Sequence, residues 1–366
     1  MRLIRHTVMT LFWAGALLLT ACQYDSVITD LRDAESNADS LVIGFSNGVI
    51  DNPVSTRAVT LLSDHFNTMG VWGWQTTSDG LFGCLFRNQE VTFNASLDSW
   101  TYSPEKYWEK GSSYQFYAYA PHVNSVADAA VTINEETGRI SITGVTLSGC
   151  NTMSTEAQPL PYGNFSSVSD IDWMIDRAGK AIPKEQIYSK VTFNMQHLLS
   201  KFNVMIKAIG ALAADGTGTY AILDSMSIGS FVSKADFTQL LDHSPVPGNA
   251  DDEAAIEWRL DTLNQRYTLQ STRNVTVSAT GSCIIESLLL PQNINDSQEV
   301  TIHYTLHTST GRAEKFMCKF NLIDAFDKFK TAHNYTLIIN IGPDVITFDA
   351  GAVEWDNDNN GFGWIN

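Results

Sequence analysis

Residues 300–307 alternate without a break: Val300, Ile302, Tyr304 and Leu306 are apolar, while Thr301, His303, Thr305 and His307 are polar. Successive side chains of a β-strand point to opposite faces, so this pattern makes one core face and one polar face. Phe316, Cys318, Phe320 and Leu322 alternate in the same way, as do Tyr335, Leu337, Ile339 and Ile341. Val191, Phe193 and Met195 share one parity, and Phe202, Val204 and Ile206 take the other. A one-residue slip flips the buried face, so a bulge or turn is required near residues 196–200. No long amphipathic helix pattern occurs, and only residues 322–328 look briefly helical. Strands spaced by about 8–12 residues with Gly, Asn and Pro turns read as β-sandwiches. At about 150 residues per domain, 366 residues make about two. A boundary near Ile187 then separates an N-terminal sandwich, residues 58–187, from a C-terminal one, residues 188–366.

The start of the chain has a different character. Residues 1–21 read as an export signal, with Arg2, Arg5 and His6 ahead of an apolar stretch too short to span a bilayer comfortably. Leu19-Thr20-Ala21-Cys22 resembles the bacterial lipobox, which makes Cys22 the residue expected to carry lipid and hold the protein on the outer membrane. The bland alternative is an ordinary signal peptide that stops near a cysteine. Residues 22–57 follow as a polar tether, a first strand (Leu41, Val42, Ile43, Gly44 and Phe45) and a loop from Asn47 to Thr56 that reads as exposed. Cys84, Cys150, Cys283 and Cys318 allow two disulfides in three connectivities. Cys318, in phase with Phe316 and Phe320, reads instead as a buried thiol.

Composition narrows the partners. The net charge is −17, and phosphate neutralisation needs Lys and Arg in excess, so nucleic acid is not an expected partner. Gly44-Phe45-Ser46-Asn47-Gly48 matches the serine-hydrolase elbow, but no helix pattern follows it. His303 and His307 share a strand face without a third ligand at a recognisable spacing. Asp356, Asp358, Asn360 and Gly361 match only the first half of a calcium loop. Asp170, Asp172 and Asp176 cluster around Trp173 with no opposing general acid. Phosphate loops, His-Glu-x-x-His and dinucleotide fingerprints are absent from the sequence. These readings point to a non-enzymatic protein with no cofactor or metal.

Aromatic strings carry a more specific signal. They are Phe66-Asn67-Thr68-Met69-Gly70-Val71-Trp72-Gly73-Trp74 after Thr56-Arg57-Ala58, and Trp100-Thr101-Tyr102-Ser103-Pro104-Glu105-Lys106-Tyr107-Trp108 leading to Tyr114-Gln115-Phe116-Tyr117-Ala118-Tyr119-Ala120-Pro121. Val191-Thr192-Phe193 with His197-Leu198-Leu199-Ser200-Lys201-Phe202, Leu289-Leu290-Pro291-Gln292, and Tyr335-Thr336-Leu337 with Ile346-Thr347-Phe348 and Val353-Glu354-Trp355 complete the set. In this order the five stretches resemble the fimbrillin family, the FimA/Mfa-like lipoproteins of type V pili. One departure is Thr331-Ala332-His333-Asn334 before Tyr335, where such proteins usually carry a glycine turn.

The resemblance implies an all-β chain of two tandem transthyretin-like β-sandwiches, secreted as a lipoprotein and assembled at the cell surface. It also implies cleavage after an arginine beyond the first strand, which here matches Arg57 before Ala58. Asn, Pro, Ser and Thr surround Arg57, a composition that proteases favour. Cleavage would release Leu41, Val42, Ile43, Gly44 and Phe45 together with the lipid, leaving a groove that another pilus subunit fills by β-strand addition. The trimmed body would still carry −15, with 19 basic and 34 acidic residues. An uncut chain would remain a lipid-held anchor, and adhesion to a host or bacterial surface receptor accompanies either role. A reading from another class is a surface glycan-binding lipoprotein that stacks sugars on Trp72, Trp74, Trp100 or Trp108.

Overall fold

A computed structural model describes residues 41–50, 60–64, 66–125, 129–134, 139–149, 170–176, 179–212, 218–240, 256–262, 266–272 and 274–354. The leader, Cys22, Arg57, Ala58, Cys150, Trp355 and the Asp356, Asp358, Asn360, Gly361 run lie outside the described residues. Among the described residues the elements are β-strands and short 3-10 turns, one of them Leu322–Asp324, where the sequence looked briefly helical. The chain is all-β, as its alternation requires.

The largest sheet has nine strands. Its order is Thr60–Leu61, Val49–Ile50, Asn194–His197, Met174–Ile175, Ser113–Ala120, Thr68–Thr76, Phe82–Asn94 and Ser99–Thr101, with Lys180–Ile182 also paired to Ser113–Ala120. Both of its faces are covered. Phe45, Phe86, Trp108 and Phe116 pack on one side, and Trp72, Trp74, Tyr117 and Tyr119 pack on the other. Residues 68–74 are consequently buried without alternation, as happens in a strand covered on both faces. Gly70 leaves room for Tyr119, since a Cβ there would lie 2.0 Å from its ring and force it to shift.

A four-stranded sheet of Ile256–Leu260, Lys234–Leu240, Arg139–Thr146 and Ala130–Asn134 covers the second of those faces. Ile140, Ile142 and Phe237 share a core with Trp72, Trp74 and Trp173. Strands from before and after residue 187 therefore pair directly: Arg139–Thr146 with Lys234–Leu240, and Met174–Ile175 with Asn194–His197.

Of the remaining strands, Gln292–Asn293 and Lys328–Phe329 pair with each other and the rest form a sandwich. One sheet runs Ser282–Leu289, Ser200–Ala208, His333–Ile341, Ile346–Glu354. The other runs Arg266–Ser271, Tyr220–Val232, Glu299–His307, Ala313–Asn321, with Val275–Thr276 against Tyr220–Val232. Val300, Ile302, Tyr304 and Leu306 point into the core between them, opposite Phe202, Val204, Ile206, Leu337 and Ile339. The two parities around residue 198 have a simple cause. The chain leaves the nine-stranded sheet after His197, passes through buried Leu198 and Leu199, and enters the sandwich at Ser200.

Two expectations need correction. Cys318 is half-buried, not buried, and neighbouring Phe316 is 37% exposed. Ala313–Asn321 is the last strand of its sheet, so its inner side is only partly covered. Residues 47–50, read as the start of an exposed loop, instead enter the fold: Gly48 and Ile50 are buried and Val49–Ile50 is a strand. The turn that lacks the family's glycine keeps the geometry a glycine would take, with Ala332 at φ +55°.

Candidate functional site

Residues 41–50 lie inside the body. Ile43 and Phe45 are buried, while Val42, just ahead of them, faces outward. On one side the Ile43 N–H donates to Lys106 O at 2.8 Å and the Trp108 N–H to Leu41 O at 2.9 Å. On the other, the Val191 N–H donates to Gly44 O at 2.8 Å and the Ser46 N–H to Val191 O at 3.0 Å. The bridges Val42↔Tyr107 and Phe45↔Trp100 are antiparallel, and Phe45↔Val191 is parallel. Further along, Val49–Ile50 pairs in parallel with Asn194–Met195 and antiparallel with Thr60–Leu61. The segment thus joins two parts of the fold that are remote in sequence.

Side chains reinforce the ladder. The Phe45 ring has Tyr102 at 5.6 Å, Phe86 at 5.8 Å, Phe193 at 5.9 Å and Phe116 at 6.2 Å. Most of these contacts are edge-on, the arrangement favoured by aromatic quadrupoles. The Tyr102 hydroxyl donates to Ile43 O at 2.8 Å. Burial pushes that hydroxyl up to about 12, so it stays a donor at neutral pH. Asn47 Oδ1 accepts the Ser63 backbone N–H at 3.1 Å and the Trp100 indole N–H at 3.3 Å, and its amide donates to Ser63 Oγ. The Ser46 and Thr192 hydroxyls bond to each other. With Ser46 so engaged in extended backbone, the Gly44–Gly48 motif has neither the helix nor the exposed serine that a hydrolase elbow needs.

Sequence reasoning singled out Leu41, Val42, Ile43, Gly44 and Phe45 but missed Tyr102 and Val191 as their partners, and missed Asn47, which fastens the same segment to Ser63 and Trp100. Only the Asn-Gly pair at Asn47-Gly48 carried a local signal, and it was that of a turn. Tyr102 lay within a quoted aromatic string, yet nothing local marks which backbone carbonyl its hydroxyl meets.

The other sequence candidates are structural in this fold. Trp72, Trp74, Trp100 and Trp108 are only 2–6% exposed. Trp72 packs on Tyr119 and Trp74 on Tyr117, leaving no ring face for a sugar to stack upon. Asp170 accepts the Ser148 hydroxyl at 2.7 Å and the Gly149 N–H at 3.1 Å. Asp172 meets His197 Nδ1 at 2.8 Å, both buried, and Asp176 accepts the Gly179 and Asn194 N–H groups at 3.0 and 3.1 Å. These carboxylates fasten backbone and a buried histidine. His307 stacks on Tyr220 at 4.6 Å, and His303 is exposed.

Comparison with known proteins agrees with this architecture. No curated protein matches the chain. Among solved structures, a fimbrial protein from Bacteroides vulgatus is similar at a TM-score of 0.58 and 15% identity, over 86% of this chain and 99% of that one. A cell adhesion candidate from Bacteroides uniformis is similar at a TM-score of 0.42 and 16% identity, over 86% and 98%. The first of these shares the fold. A family profile described as fimbrillin-like matches residues 56–355, from beside Arg57 past the end of the last sandwich strand, and takes in every strand described above except Val49–Ile50. With most of its length so matched, the chain belongs to the fimbrillin-like family.

Proposed function

We propose that the protein is a non-enzymatic pilus subunit or pilus-associated surface lipoprotein that joins other subunits by strand replacement and contributes to cell adhesion. One observation carries this reading: residues 41–50 form an inserted segment, bonded on both sides to the remaining body and ending in the strand Val49–Ile50, and the next residues, 51–59, contain Arg57. A cut between Arg57 and Ala58 would break the backbone that joins that segment to the residues after it. Loss of the strand would leave unpaired backbone groups at residues 106–108 and 191 and an empty space among Phe86, Tyr102, Phe116 and Phe193. Unpaired strand edges of this kind recruit another strand. Export as a lipoprotein, with lipid on Cys22 in the outer membrane, is part of the proposal. It rests on the leader sequence.

The intact mass and N-terminus of protein taken from the cell surface test it. Assembled species that begin at Ala58 support a polymerising or tip subunit. A lipidated Cys22 start in every assembled species overturns trimming and identifies an anchor. A second experiment addresses replacement itself. Val42 and Tyr107 face one another as a non-hydrogen-bonded antiparallel pair, a spacing of about 4.5 Å that suits a disulfide. The Val42→Cys/Tyr107→Cys protein should lose heat-stable ladders on a gel under oxidising conditions and regain them on reduction. Unchanged ladders in the oxidised protein would sink strand replacement.

A further inference from the structure

Resting on the strand-replacement reading above, we infer that the groove selects its incoming strand through a polar subsite at the Asn47 position as well as through its apolar pockets. The partner is an extended segment of another subunit with an aliphatic residue, an aromatic and a hydrogen-bond acceptor at successive alternate positions, followed by glycine. The present occupant displays that chemistry as Ile43, Phe45, Asn47 and Gly48.

The apolar part alone discriminates weakly. A pocket shaped for Phe45 accepts many large apolar side chains, because a methylene more or less changes affinity only modestly. The polar part discriminates more strongly, since a site that has lost its acceptor keeps its donors desolvated. Trp100 is a buried indole whose N–H reaches Asn47 Oδ1, and the Ser63 N–H converges on the same oxygen. Both donors belong to the body that would remain after cleavage at Arg57. An incoming strand with Leu or Val at this position would leave both donors unmatched. An Asn or Asp would satisfy them.

Glycine next to the acceptor follows from a separate contact. A Cβ at Gly48 would stand 3.2 Å from the backbone oxygen of Phe193 and 3.5 Å from Leu62 Cβ. The first is a main-chain atom on a paired segment, so it cannot swing aside as a side chain would. Gly44 differs, because a Cβ there would meet only the flexible Lys190 stem at 3.4 Å. The groove therefore tolerates a side chain before the aromatic more readily than one after the acceptor.

The test uses the full chain with one sequence-specific protease site in place of Arg57, folded first and then cut, the cut being verified by mass. Labelled peptides spanning residues 41–50 are offered as the native sequence, Asn47→Ala, Asn47→Asp and Gly48→Val. The native and Asn47→Asp peptides should be captured within a few-fold of one another. Asn47→Ala and Gly48→Val should each bind about ten-fold or more weakly. Equal capture of native and Asn47→Ala overturns the polar subsite while leaving strand replacement intact. Failure to capture even the native peptide overturns strand replacement, and with it the role of the subsite in partner choice. In the uncut full chain, hydrogen exchange of the Trp100 indole N–H should quicken in Asn47→Ala and stay slow in Asn47→Asp. Equal protection in all three proteins would remove the hydrogen bond on which the inference stands.

Discussion

Tyr102 shows how one side chain can hold a strand without pairing with it as a strand. Its ring packs on Phe45 and Phe86, and its hydroxyl reaches Ile43 O. Burial raises its pKa from the ordinary 10.0 to about 12, so folding favours the neutral phenol. The stability arising from that preference is fully present below pH 10 and is lost as pH rises through about 12. Urea midpoints across this interval should fall more steeply for the wild-type protein than for Tyr102→Phe. Equal slopes would mean that the hydroxyl is not held as described. Ala332 makes a complementary case. A left-handed alanine costs about 1–2 kcal/mol, so Ala332→Gly should raise stability by roughly 1 kcal/mol in chemical denaturation. A loss of stability would show that Ala332 contributes packing that outweighs its backbone strain.

Among the elements, legibility depended on how many faces a strand buries. Glu299–His307 and His333–Ile341 bury one principal face, and their alternation could be read directly from the sequence. Thr68–Thr76 is covered on both faces through residue 74, so periodicity says nothing about it and only its tryptophans stood out. Ala313–Asn321 alternates as well as any strand, yet its last place in the sheet leaves Phe316 and Cys318 partly uncovered. Position within a sheet is a long-range property that a local pattern does not encode. The extended course of Leu41–Phe45 could be read locally, but it is held by isolated bridges and hydrogen bonds to Lys106, Trp108, Trp100 and Val191, which lie far away in sequence. The crowded centre of the nine-stranded sheet supplies a direct check. Gly70→Ala forces a methyl into the Tyr119 ring and should destabilise the protein by about 1–3 kcal/mol in urea titration. A neutral result would show that Tyr119 has room to move despite its bonds to Asn88 and Val123.

At the scale of the molecule, length indicated two units of similar size, but not how their strands interleave. Asn194–His197 completes the nine-stranded sheet, and Lys234–Leu240 lies against Arg139–Thr146. Phe237 and Leu290 share a core with Trp72 and Trp173. A fragment of residues 58–187 therefore lacks strands on which its own sheets depend. It should show broad, poorly dispersed amide resonances even where the full chain gives sharp ones, and a well-dispersed spectrum would overturn this view. The parallel pairing of Ser200–Ala208 with His333–Ile341 has a temporal consequence as well. Lys201 registers with Asn334, so the sheet's central contact joins segments far apart along the chain. Contacts so distant along the chain form slowly, and the intermediates preceding them expose bare edges that aggregate. Until Ser200–Ala208 and His333–Ile341 meet, each keeps an open edge where the finished sheet has its closed centre, so crowding by other chains is most damaging before that pairing forms.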